Sequence, residues 1–171
     1  MSEAAPWTVR PLGAPDLAAY RAVRLDALRL YPRAYGSSYE EEVDDTLDEL
    51  AARWPMPPGA MLGGFVDDRL AGIAGLAVFP RRKQRHKGFI YGVYVDQAFR
   101  RLGLAMGLMN AAIAAAREAK LCFVWLAVSV GNDDARRLYD RLGFRTFGIE
   151  PRALLVDGAF VDEELMVLDL D

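Results

Sequence analysis

"VYVDQAFRRLGLAMGLM", residues Val93 to Met109, leaves an apolar strand, turns and enters a helix. Arg100 and Arg101 stand directly before the first helical turn. The macrodipole and unpaired N–H groups already make that end positive, and a cation there costs about 0.3–1 kcal/mol. No Ser, Thr, Asp or Asn immediately precedes Gly103 to accept the free donors. A strand, a tight turn, free N–H groups and flanking guanidinium groups together make an anion site. Gly103 has no Cβ, so a bulky phosphate can approach the main chain there. The Walker A pattern needs a second glycine followed by Lys and Ser or Thr, and the dinucleotide fingerprint needs three glycines in register. Neither is present, which leaves a single-glycine pyrophosphate loop.

Outward from this stretch the elements alternate. Upstream, "GFIYGVYV" is a β-branched and aromatic strand, preceded by the basic tract "PRRKQRHKG", which reads as a solvated loop with His86 at the surface. "AMLGGFVDDRLAGIAGLAVF" is a hairpin turning at Asp67-Asp68. The start gives a short strand, "WTVRPL", and then a helix, "DLAAYRAVRLDALRLYP", with Asp16 as its N-cap and Pro32 as its stop. "AYGSSYEEEVDD" reads as an acidic loop and "TLDELAARW" as a short helix opening at Thr46. Downstream, the helix after Gly103 shows a stripe of Leu104, Leu108, Ala111, Ala115 and Ala119. "LCFVWLAVSV" reads as a strand buried on both faces. "NDDARRLYDRLGF" is a helix between an Asn132 N-cap and a Gly143 C′ residue, and the tail is a hairpin at Asp157-Gly158.

The chain has 171 residues, 53% hydrophobic and 26% charged, which fits one soluble α/β domain spanning 1–171. A net charge of −3 argues against a general nucleic-acid partner. Cys122, the lone cysteine, points to a reducing, cytoplasmic setting. No signal peptide and no membrane-spanning run are expected. No His/Cys cluster offers a metal site. A homodimer is one expectation for the oligomeric state.

The pair of motifs resembles the GNAT superfamily of N-acetyltransferases. The family's acetyl-CoA loop is Arg or Gln, two residues, Gly, one residue, then Gly or Ala, after a strand ending Val-x-Val. Val93, Val95, Arg100, Gly103 and Ala105 stand in those places. The companion helix is similar through Asn132, Ala135, Leu138, Tyr139, Leu142, Gly143 and Phe144. The resemblance implies a mixed, mostly antiparallel sheet of about seven strands flanked by about four helices, splayed between the fourth and fifth strands. It implies acetyl-CoA as cosubstrate and no metal. The N–H groups of Leu102 to Ala105, with Leu104 among them, would hold the pyrophosphate beside Arg100 and Arg101. Val93 and Val95 would pair with the pantetheine arm, and Asn132 is counted with the same set.

Acyl transfer to an amine needs a base, a donor to the carbonyl oxygen and a proton for the leaving thiolate. The resemblance gives the last role to Tyr139 and the carbonyl oxygen to the Val93 N–H. Relatives carry a glutamate on the fourth strand, but Tyr91-Gly92-Val93-Tyr94 has none. Candidates for the base are Glu40, Glu41 and Glu42 in the acidic loop, and Asp162, Glu163 and Glu164 on the last strand. Glu41 is the choice as base, with Tyr39, Glu40 and Glu163 lining the acceptor side. An acidic mouth suits a cationic amine, from a small molecule or a peptide. The alternative is a CoA-binding module of this fold without catalysis.

Overall fold

The computed structural model describes residues 6–171. Two turns set the strand pairing. Asp67 and Asp68 take φ of 46° and 59°, closing β2 (Ala60–Val66) onto β3 (Arg69–Val78). Asp157 and Gly158, at 50° and 77°, close β6 (Arg145–Val156) onto β7 (Ala159–Asp169). Positive φ at both central residues is what a two-residue type I′ hairpin requires. With β1 (Thr8–Pro11), β4 (Lys87–Val95) and β5 (Phe123–Ser129), the strands form one seven-stranded sheet in the order β1-β2-β3-β4-β5-β7-β6. Only β4 and β5 pair in parallel. A parallel pair needs a crossover, supplied by α4 (Leu104–Glu118).

Helices cover both faces. On one face α4 and α5 (Asp133–Arg141) pack over Leu76, Ile90, Leu126 and Met166. On the other, Tyr20 and Ala27 of α1 (Leu17–Leu30) pack with Ile73, Tyr94 and Trp54, the last just beyond α3 (Leu47–Ala52). Each fully buried large apolar side chain contributes about 1.5–3 kcal/mol. Among the described residues no helix is long and apolar enough to cross a membrane.

Four details differ from the sequence reading. The buried stripe of α4 runs through Leu104, Leu108, Met109, Ala112, Ile113 and Ala116, while Ala111, Ala115 and Ala119 are only partly buried. Both rows share Leu104 and Leu108, and the position of the sheet selects between them. Asp16 stands at the N-cap position of α1, but its side chain bonds no N–H of that helix: its carboxylate accepts from Arg10 and from the Gly13 N–H of the preceding turn. The acidic loop contains a one-turn helix, α2 (Tyr39–Glu42), with a capping box between Ser38 and Glu41. Finally, β5 is fully buried on one face only: Val124, Leu126 and Val128 are covered, whereas Phe123, Trp125 and Ala127 are half-buried.

Candidate active site

The sheet parts in its middle. β4 and β5 pair only at Lys87–Phe123, Gly88–Val124 and Phe89–Trp125, and the last rung is an aromatic contact with centroids 4.4 Å apart. Beyond it, Gly92 and Val93 oppose the single residue Ala74 of β3, with Gly92 at φ +62°. Such a bulge bends the strand and adds twist, which turns the far half of β4 away from its neighbour. β5 stays paired with β7 along its whole length.

A cavity of about 80 Å³ occupies the parting, with Tyr35, Val93, Ser129, Asn132 and Tyr139 in its lining. Tyr139 comes from α5. It packs its ring on Phe144, and burial pushes its phenol up to about 12, so it holds its proton across the neutral range. Asn132 caps α5, its Oδ1 accepting from the Ala135 N–H at 3.4 Å. Tyr35 enters from the chain after α1, and its hydroxyl donates to the Val93 carbonyl at 3.0 Å. Arg24 lies 5.4 Å over the Tyr35 ring and is itself held by both carboxylate oxygens of Glu42, at 2.8 and 3.0 Å. The Val95 carbonyl accepts from Arg100 Nε at 3.1 Å, with that guanidinium 4.9 Å over the Tyr31 ring.

The same Tyr35 lines a second space, an open groove of about 690 Å³. Tyr39, Glu40 and Glu41 form one bank and Leu155 and Asp157, at the β6–β7 turn, form part of the other. Two rings and three carboxylates face it, together with Arg29. Glu41 Oε2 accepts from the Ser38 N–H at 2.8 Å, so this exposed carboxylate also serves the cap. Glu163 is half-buried on β7, opposite Ser129, and outside both linings.

The start of α4 has no side-chain cap. Gly103 occupies the N-cap position at φ +82°, a left-handed conformation that a side chain would strain, and Arg101 before it has φ +65° and is exposed. The first helical donor to find a partner is the Gly107 N–H, on the Gly103 carbonyl at 3.1 Å. The N–H groups of Leu104, Ala105 and Met106 therefore have no intrahelical acceptor. Trp7 fixes this turn: its indole Nε1 donates to the Leu102 carbonyl at 2.7 Å, and its ring lies where a Cβ on Gly107 would be, 2.4 Å from Cη2. Donors without partners on a rigid turn fit a phosphate. Trp7, Tyr35 and Ser129 were missed in the sequence reading, because long-range contacts and no local motif bring them here.

A model of the acetyltransferase (GNAT) family matches residues 24–144, from the middle of α1 to just beyond α5. The chain belongs to this family. No curated protein matches it in sequence. Its fold is that of GNAT structures. An acetyltransferase of the GNAT family from Streptococcus pneumoniae superposes with TM-score 0.83 at 23% identity, covering 95% of this chain and 99% of that one. A ribosomal-protein-alanine N-acetyltransferase from Brucella melitensis gives 0.79 at 23%, with 95% and 99% covered. The yncA protein of Salmonella typhimurium, solved with its cofactor acetyl-CoA, gives 0.79 at 22%, with 96% and 94% covered. Among the described residues of this GNAT chain, no three His, Cys, Asp or Glu side chains gather as a metal cluster.

Proposed function

We propose that the protein is an acetyl-CoA-dependent N-acetyltransferase that acetylates a primary amine, of a small molecule or a peptide, by direct attack on the thioester. The observation that carries this reading is the cavity where β4 and β5 part, with Tyr139 on one wall and Tyr35 leading to an acidic groove. Acetyl-CoA supplies the thioester carbonyl and the thiol leaving group. The N–H groups at the start of α4 hold the pyrophosphate, with Arg101 exposed beside them, and Arg100 keeps the preceding turn in shape through Val95. Val93 and Val95 line the pantetheine arm. The Val93 N–H is assigned to the carbonyl oxygen as charge grows there. Tyr139, neutral through the physiological range, keeps the proton needed by the departing sulfur.

The groove recognises the acceptor. Glu40, Glu41 and Asp157 at its banks attract a cation, while Tyr39 and Leu155 offer an apolar wall. The reading keeps a cytoplasmic setting, with neither nucleic acid nor membrane as partner. Screening amines for release of free CoA thiol tests it. The lack of a carboxylate on β4 favours a second reading, a CoA-binding module without turnover. Acetyl-CoA binding with no thiol release from any amine would establish that second reading.

A further inference from the structure

Most acids around the groove and the cavity already have partners. Arg24 holds Glu42, and Arg136 and Thr146 hold Glu164. Asp162 Oδ1 accepts from the Arg152 N–H at 2.7 Å, and Glu41 Oε2 accepts from the Ser38 N–H at 2.8 Å. Glu163 is different. It lies directly opposite Ser129 of β5 and Glu150 of β6, so the three side chains form one row on one face of the sheet. Ser129 is buried, lines the parting with Tyr139, and donates its hydroxyl to the Arg33 carbonyl. That bond identifies the face as the one crossed by the chain leaving α1, where the groove lies. Glu164, next along the strand, turns to the opposite face and meets Arg136 of α5.

We infer that Glu163, opposite Ser129 in the strand register and just behind the lining of the parting, takes the proton from the attacking amine through one intervening water. The inference rests on the acetyl transfer proposed above. As the N–C bond forms and the C–S bond breaks, the amine's proton passes through that water to Glu163 and the sulfur's proton comes from the Tyr139 hydroxyl. Exchange with water then restores both side chains. Acid and base stand on opposite faces of the sheet, which suits an amine and a thiol leaving group on different sides of one carbonyl carbon.

The surroundings strengthen Glu163 as a base. Burial, and then the Glu150 carboxylate opposite, raise Glu163 above the ordinary glutamate value. Glu150 is the charged group that faces it from β6. The residue opposite it on β5 is the uncharged Ser129, whose hydroxyl donates to the Arg33 carbonyl of the chain after α1. Asp162, Glu164 and Arg136 belong to the reverse face. Glu150 is a positioning residue.

Two measurements test the inference. In the first, carbon-detected NMR follows the Glu163 carboxyl through a pH titration of wild type and Glu150→Gln. A midpoint above the ordinary range that falls in Glu150→Gln is expected, and a midpoint unmoved by the substitution overturns the inference. In the second, kcat against pH is measured at saturating acetyl-CoA with an aliphatic diamine, an arylalkylamine and a tripeptide with a free N-terminus. Glu163→Gln should lower kcat about 10²-fold and remove its acid limb, and Glu150→Gln should move that limb to lower pH. An acetyl-CoA-induced rise in melting temperature equal to wild type shows that Glu163→Gln is folded. A normal acid limb in Glu163→Gln overturns the inference while the transferase reading stands. Wild-type turnover of none of the three amines removes that reading, and the inference with it.

Discussion

The Trp7 indole and the Leu102 carbonyl, 95 residues apart in sequence and 2.7 Å apart in space, join the entry to β1 with the turn that opens α4. The bond makes the turn before α4 part of the sheet's framework, although the turn carries no side-chain cap of its own. Packing of the same ring on Gly107 adds to the clamp.

Trp7→Phe keeps a ring over Gly107 and loses the donor. One neutral hydrogen bond is worth about 0.5–1.5 kcal/mol, so acetyl-CoA should bind roughly 2- to 10-fold more weakly by calorimetry. Unchanged affinity would mean that the turn holds its shape without the indole.

Gly103→Glu places a carboxylate among the donors and a side chain at φ +82°. Acetyl-CoA should raise the wild-type melting temperature by linkage and leave that of the variant where it was. Equal shifts in the two proteins would remove the phosphate assignment.

Tyr139→Phe removes the proton and keeps the packing against Phe144. With a turned-over acceptor, kcat should fall ~10²–10⁴-fold while acetyl-CoA affinity stays nearly the same. Because the phenol is raised to about 12, no basic limb below pH 10 or so should vanish with it.

Glu42→Gln probes the support beneath Tyr35. Burial alone would raise Glu42, but the Arg24 hydrogen bonds and charge outweigh it and hold the carboxyl below 4.5. A lowered carboxyl stabilises the fold above its unfolded value, and that contribution is lost as pH falls through the folded one. The side chains of Arg24 and Glu42 are 13% and 17% exposed, so the cost at neutral pH should be about 2–3 kcal/mol, short of the 3–5 of a fully buried pair. Denaturant curves of wild type and variant should converge in acid, below 4.5.

Glu41→Gln separates charge from cap, since glutamine also completes a capping box. Folding should be unchanged, while KM for a cationic amine rises and the salt dependence of kcat/KM weakens. Kinetics identical to wild type for both Glu41→Gln and Glu40→Gln would leave this bank of the groove as solvated surface.

What the sequence discloses here is what lies close together along the chain. Gly103, the Asn132 cap and Tyr139 sit in contiguous motifs, and both hairpins carry their turn residues side by side. α2 is a single turn, and its signal, Ser38 followed three residues later by Glu41, is masked by neighbouring glutamates. Tyr35 is one of several aromatics beyond α1, and nothing local separates it from Tyr31 or Tyr39. Its acceptor, the Val93 carbonyl, sits at the bulge of β4, so its role emerges only once β3 and β4 are in register. Glu163 was legible as an acid on the last strand. Its distinction from Asp162 and Glu164 depends on which face each one takes, and that is decided by pairing with β5 and β6.

Where β4 leaves β5, the molecule contains in its interior something that sheets normally keep at their rims: an edge. Two of its carbonyls, those of Val93 and Val95, are occupied by the Tyr35 hydroxyl and Arg100 Nε. Open edges invite foreign strands, and buried carbonyls without donors weaken a fold. The chain thus carries its own stoppers for both hazards. An extended ligand arm must share or displace them to lie against β4. A stray strand, with no phosphate to engage the α4 turn, lacks the second foothold that makes such an exchange favourable.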